Sequence, residues 1–240
     1  MKEMIQGEFY RLRFNKSYRI AAVLIPGILV TIGLFFRFYY HVDSFGANFR
    51  CLIGMLRYIL PVTIVFQFNL YEEYRYHTIK NICVIHKKTD IYLGKLVVQL
   101  AVNVTIFVVS IAIYFIVSML VTDRGIGVYD WQIYLGSCIL ALLILVHNTV
   151  LVDLLMIICR NEIVLIVSYV ILTNVLSLLV DFIPIGSRLI SGMLISEQLL
   201  YLQTLNFNAG EWIQNICMSL GGILIYGIAG CFALKHLDAK

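Results

Sequence analysis

Residues 133–158 read IYLGSCILALLILVHNTVLVDLLMII, 26 positions of which one, Asp153, carries a charge. As an α-helix this run is about 39 Å long, more than the ~30 Å hydrocarbon core of a bilayer. A helix is the form such a run takes in lipid, because it satisfies every backbone N–H and C=O within itself. Five further segments have the same character: Ile20–Phe36, Leu52–Leu70, Leu96–Val121, Ile163–Ile183 and Ile213–Leu234. The expected fold is therefore an all-α integral membrane protein with six transmembrane helices. Composition agrees: 61% of the 240 residues are hydrophobic and 13% charged, about half the usual ~25% charged share, with a mean hydropathy of +0.90. So few charges cannot coat a water-soluble body of this size. No linker, low-complexity tract or internal repeat interrupts the chain, so residues 1–240 read as one transmembrane domain. Pro26 and Pro61 fall inside the first and second runs, where proline kinks are tolerated.

Six crossings put both termini on one side. If that side is the cytoplasm, 13 of the 18 Lys and Arg residues fall in cytoplasmic segments, at 2, 11, 13, 16, 19, 75, 80, 87, 88, 95, 160, 235 and 240. Arg37, Arg50, Arg57, Arg124 and Arg188 face outward or lie near the outer end of a span. This bias predicts a multi-pass protein of the cell membrane with cytoplasmic N- and C-termini. The net charge of +4 is not gathered into a basic run with interleaved aromatics, so nucleic acid is not an expected partner. Six cysteines (51, 83, 138, 159, 217 and 231) lie far apart without a CxxC pair. Neither a disulfide framework nor a metal site is expected, and they read as small buried hydrophobes.

A cleaved signal peptide is a poor reading of the first run, which is long, lacks a following small-x-small site and is preceded by a charged stretch of about 19 residues. The opening MKEMIQGEFYRLRFNK places Met1, Ile5, Phe9 and Leu12 at helical spacing, with Lys2, Glu3, Arg11 and Arg13 directed elsewhere. That spacing predicts a helix lying flat in the membrane interface; the alternative is an irregular basic tail that only fixes topology.

Two connections are long enough to need a reason. The cytoplasmic one, residues 71–95, reads YEEYRYHTIKNICVIHKKTDIYLGK, with Ile79, Ile82, Cys83 and Ile85 at roughly helical spacing beside Lys80, His86, Lys87 and Lys88. It is either a short amphipathic helix offered to a cytoplasmic partner or a solvated basic loop. The outer one, residues 184–212, reads PIGSRLISGMLISEQLLYLQTLNFNAGEW and is broken by Ser187, Arg188, Ser191, Glu197 and Gln203. It is no seventh span, and predicts one or two short helices at the outer interface or dipping back into it.

Glu73, Thr78-Ile79-Lys80 and, after a helix-length gap, Gly94-Lys95-Leu96 resemble the pattern between spans two and three of type-2 permeases of ATP-binding-cassette (ABC) transporters. In that family an acidic residue and Gly-Thr-Leu-Lys-like, Pro-x-x-Arg-like and Gly-Lys-Leu-Leu-like stretches surround a coupling helix. This chain departs from the pattern at His77, where glycine is usual, and at His86-Lys87-Lys88, which replaces the proline-and-arginine portion. The opening Gly7-Glu8-Phe9-Tyr10-Arg11-Leu12-Arg13 and the Pro26-containing first span are similar to small permease subunits of peptide-exporting and lantibiotic-immunity systems.

The resemblance implies a pathway for a peptide-like substrate between two permease chains, identical or homologous, with two separate ATPase subunits docked on the inner side. It implies ATPase contacts at Glu73, Thr78, Lys80, His86, Lys87 and Lys88, and a smaller contact at the turn between spans four and five, at Arg160 and Glu162. It also implies short outer helices capping the pathway between spans five and six. The chain has no GxxxxGK[ST] loop whose amides and lysine would hold phosphates. ATP and Mg are accordingly expected on the partner, and this chain is expected to carry no catalytic group, cofactor or metal.

Ionisable groups within spans are functional candidates. Arg57 lies about 8 Å into span two, a depth from which arginine snorkels outward. Asp153, near the inner end of span four, is too far across the membrane to pair with Arg57, and Arg160, Arg75 or Lys95 are nearer in depth. Asp181, at the outer end of span five, is the better partner for Arg57 or Arg188. His147 and Asn148 sit mid-span, where an interhelical hydrogen bond or a substrate contact is expected. Span-end aromatics such as Phe38, Tyr39 and Tyr40 read as interface anchors.

The primary functional expectation is export of, or self-immunity to, amphipathic or hydrophobic peptides across a bacterial cell membrane. A small-drug or lipid-linked substrate is the alternative, and a membrane sensor or scaffold leaves the two partner-facing loops unexplained. An intramembrane protease is disfavoured: Glu72-Glu73 with Arg75 gives EExR, not the EExxxR of glutamate-dependent membrane proteases, and no HExxH or GxSxG motif is present.

Overall fold

The computed structural model describes residues 2–14, 16–39, 45–46, 48–49, 52–53, 88–121, 127–159, 161–175, 194–203 and 209–236, which form helices and no strand. In chain order the helices are α1 (Lys2–Phe14), α2 (Lys16–Tyr39), α3 (Lys88–Val121), α4 (Val128–Cys159), α5 (Glu162–Val170), α6 (Ile195–Gln203) and α7 (Ala209–His236). A π-helical turn, Ile171–Val175, extends α5. Among the described residues, four stretches are long and apolar enough to cross a membrane: Ala22–Tyr39, Thr89–Leu120, Trp131–Cys159 and Gly210–His236. They coincide with the first, third, fourth and sixth expected spans, and the shorter apolar stretch Ile163–Thr173 with the start of the fifth. Of the second expected span only Leu52 and Ile53 are among the described residues.

Local chemistry explains the helix ends. Asn161 caps α5, its Oδ1 accepting from the Ile163 N–H at 2.9 Å and the Val164 N–H at 3.4 Å, which satisfies two otherwise orphaned donors after the sharp turn from α4. Lys235 and His236 close α7 where the helix dipole favours cations, and Glu211 opens it where the dipole favours anions. α2 is continuous through Pro26.

Contacts along the helices fix their relative directions. Glu8, in the helix leading into α2, bonds Lys95 near the start of α3, while Gly33, late in α2, meets Tyr114, late in α3. Hence α2 and α3 are parallel. α4 returns antiparallel to α3, with Asn103 bonded to Thr149 and Phe115 packed on Trp131. α7 runs parallel to α4, because His147 and Val150 meet Gly222 and Gly227 in the same order.

α4 is the hub. Of its apolar window 72% is buried, against 22% for α2, 22% for α3 and 17% for α7. The outer helices leave Val23, Leu24, Ile116, Leu120, Leu224 and Phe232 at least half exposed. Apolar residues outside and small or polar residues between helices is the arrangement lipid favours, since tails compete with side chains for apolar contact.

Three expectations need correction. α3 begins at Lys88 rather than Leu96, so the last residues of the 71–95 stretch, Lys88 and Lys95 among them, are helical; likewise α7 starts at Ala209, ahead of Trp212. α1 is a helix over Lys2–Phe14, with Ile5, Glu8 and Leu12 turned toward the bundle and Phe9 43% exposed. Finally, none of the described cysteines is fully buried, and Cys217 is exposed on the free apolar face of α7.

Candidate functional site

Three consecutive polar residues on α4, His147, Asn148 and Thr149, are fully buried and lie at about the middle of its length. Successive helical residues point about 100° apart, so the three reach different neighbours. His147 Nδ1 lies 3.3 Å from Gln198 Oε1 of α6. Its ring stacks on Tyr226 of α7 at 5.3 Å between centroids, and its Nε2, against Gly222, has no hydrogen-bond partner among the described residues. Asn148 Oδ1 accepts from the Tyr169 hydroxyl of α5 at 2.7 Å. Thr149 Oγ1 accepts from the Asn103 amide of α3 at 3.1 Å and donates to the Leu145 carbonyl at 2.8 Å. One turn of α4 thus fastens α3, α5, α6 and α7.

The Gln198 contact has a geometric consequence. His147 is about 24 Å along α4 from Trp131 and about 18 Å from Cys159 at helical rise. The short helix α6 therefore reaches the middle of the bundle, where Leu194, Ile195, Leu199 and Leu202 are also buried.

A charged cluster sits nearer the end of α4. Asp153 is 0% exposed and Lys95 3%. The Gln99 amide, turned with its nitrogen toward the carboxylate, donates to Asp153 Oδ2 at 2.7 Å and also to Oδ1. One turn before Gln99 on α3, Lys95 Nζ donates to Glu8 Oε1 at 2.8 Å, and Arg11 lies 3.3 Å from Glu8 Oε2. Burying such charges is tolerable in apolar surroundings only when they pair.

These partners expose a pattern along α3. Tyr92, Lys95, Gln99, Asn103, Ser110, Tyr114 and Ser118 repeat at intervals of three, four or seven residues and are all buried. On α3 this polar stripe runs among buried Ile91, Leu96, Val98 and Ile111, while the exposed side of the helix is largely apolar. At the far end of the bundle Phe45, Phe49, Tyr114, Phe115, Trp131 and Tyr134 form a ring cluster with centroids 4.6–6.2 Å apart. The Tyr114 hydroxyl donates to Asn48 Oδ1 at 3.0 Å, and the Asn48 amide donates to the Gly33 carbonyl at 3.2 Å.

Of the residues singled out in the sequence, His147, Asn148 and Asp153 come together along one helix face-set within two turns, each joined to another helix. Of the three cations nearer Asp153 in depth, the described one, Lys95, lies one turn of α3 before Gln99, the residue that bonds Asp153. Glu73, Thr78, Lys80, His86, Lys87, Arg57, Arg160 and Asp181 lie outside the described residues. Lys88 and Glu162 begin α3 and α5. The sequence reading missed Glu8, Gln99, Asn103, Tyr169, Gln198 and Gly222; the regular polar stripe on α3 was the available signal. Among the described residues no cluster of three or more His, Cys, Asp or Glu could hold a metal ion. No protein-family model matches this sequence, and no curated protein matches it either.

Proposed function

We propose that the chain is the membrane-spanning permease subunit of an ABC type-2 exporter, moving amphipathic or hydrophobic peptides out of a bacterial cell membrane in export or self-immunity. The observation that carries this reading is the order Glu73, Thr78-Ile79-Lys80, Gly94-Lys95-Leu96, the last part leading along a helix long enough to span. The inward polar stripe of α3 supports it, since buried polar groups at membrane depth mark pathways more than simple anchors. The parallel course of α2 and α3 supports one further crossing between them, and so six in all with both termini cytoplasmic. In this arrangement α1 lies at the inner interface, and α6 returns from the outer side as a re-entrant helix.

ATP and Mg belong to two partner ATPases docked on residues 71–95 and on Arg160 and Glu162. Their closure on ATP pushes the loop and, through the second and third spans, shifts a pair of permease chains between inward- and outward-facing states. Purification of the tagged chain from its native membrane should retain a P-loop ATPase. Glu73→Lys with Lys87→Glu and Lys88→Glu should release it; full retention and full peptide transport in the triple variant would overturn the proposal.

A further inference from the structure

We propose that the corner between α1 and α2 binds the headgroup of an anionic phospholipid, with an acyl chain laid along the outer face of α2. Lys16, Arg19, Ile20, Val23 and Leu24 are spaced three and four residues apart along the helix and share one face of it. They line an open groove of about 500 Å³. The order along the groove is that of a lipid: two cations first, then Ile20, Val23 and Leu24, all at least half exposed. Beyond them a Cβ on Gly27 would meet nothing within 4 Å, so the face stays open for a further turn.

The membrane-length stretch of α2 begins at Ala22. Arg19 and Lys16 precede it by about 4.5 and 9 Å at helical rise, which is the depth of the headgroups. Arg13, in the last turn of α1, comes three residues before Lys16 and so lies within about 11 Å of it at Cα. All three cations are exposed. Among the described residues none of them forms an ion pair or a side-chain hydrogen bond. The first turn of α2 holds no acidic residue, and Glu8 of α1 is turned to Lys95. Phosphate is the anion that guanidinium and ammonium groups both take. Tyr10 and Phe14, exposed on α1 with ring centroids 5.0 Å apart, add an interfacial aromatic anchor next to Arg13. The occupant is a lipid rather than a protein because the apolar half of the groove continues into the bilayer. The site requires α2 to lie in a membrane and does not depend on the transport reading.

Native mass spectrometry of the full-length chain, titrated with phosphatidylglycerol or with phosphatidylcholine of the same acyl chains, tests it. The wild type should bind phosphatidylglycerol about a hundredfold more tightly, the product of about fivefold for each of three cations near a membrane surface. Lys16→Gln/Arg19→Gln should weaken that binding about 25-fold and Arg13→Gln about fivefold, with phosphatidylcholine binding unchanged. The charge-conserving Lys16→Arg/Arg19→Lys should keep the preference. So should Lys235→Gln, which removes an exposed cation at the same end of the bundle but on α7. Glycerol 3-phosphate in large excess should not displace the lipid, which separates a lipid site from a site for free phosphate. Equal binding of the two lipids by the wild type, an equal loss in Lys235→Gln and Lys16→Gln, or displacement by glycerol 3-phosphate would overturn the site. So would equal lipid binding joined to loss of a copurifying protein from Lys16→Gln/Arg19→Gln, which would give the groove to an acidic partner instead.

Discussion

Gly222 has no side chain where the His147 ring lies against α7, and a Cβ there would collide with Nε2; at Gly227 the nearest neighbour of a Cβ would be Val150 Cγ1 at 3.9 Å, an ordinary contact. Gly222→Ala should therefore destabilise the protein by about 1–3 kcal/mol, the range for forced overpacking, while Gly227→Ala should be close to neutral. Thermal unfolding of the two variants in the same detergent distinguishes them. A second glycine gives a sharper test. A Cβ on Gly230 would strike the Tyr92 hydroxyl, which is buried with no hydrogen-bond partner among the described residues. Tyr92→Phe removes an unsatisfied polar atom and should not destabilise. In that background the cost of Gly230→Ala should fall only in part, because the ring carbon Cζ would still lie 2.6 Å from the new Cβ; equal costs in both backgrounds would show that the hydroxyl adds nothing to the collision.

Helix α4 is held at one level by side chains reaching three ways, and the hairpin to α5 depends on one of them. A double-mutant cycle on Tyr169→Phe and Asn148→Ala should give a coupling of about 0.6 kcal/mol and no more than about 1.7, as for interhelical hydrogen bonds measured in other membrane proteins. No coupling at all would mean the 2.7 Å bond adds nothing to the packing of α5 on α4. The elements also show why sequence reading reached some of this and not the rest. The long runs were legible because lipid demands a contiguous apolar length, which is a local property. His147, Asn148 and Asp153 were legible as single polar letters in such a run. Their partners Gln198, Tyr169 and Gln99 were not, since a pairing across 51 or 21 residues is fixed by how helices cross. The start of α3 was misplaced for the same reason: Lys95 breaks the apolar run, and its neutralising partner, Glu8, is 87 residues away. Spacing alone gave no sign that Glu8 shares the inward side of α1 with Ile5 and Leu12, since the cation it bonds, Lys95, lies on a distant helix.

For the molecule as a whole, the described helices form a bundle that is apolar on its exposed faces and apolar in its core, with a minority of buried polar side chains concentrated on α4 and along α3. That arrangement suits a multi-pass membrane protein, and the proposed role adds that its power comes from another subunit. Orientation makes a testable difference: in intact cells a membrane-impermeant maleimide should leave Cys83 unlabelled, and labelling should appear in inverted vesicles. ATP hydrolysis by proteoliposomes tests the central claim most directly, with the purified chain alone, its P-loop partner alone, and the two together with peptide. The account predicts no hydrolysis by the chain alone and peptide-stimulated hydrolysis with vectorial peptide movement by the pair; hydrolysis by the chain alone, or a pair that moves no peptide and whose ATPase ignores the permease, would contradict it.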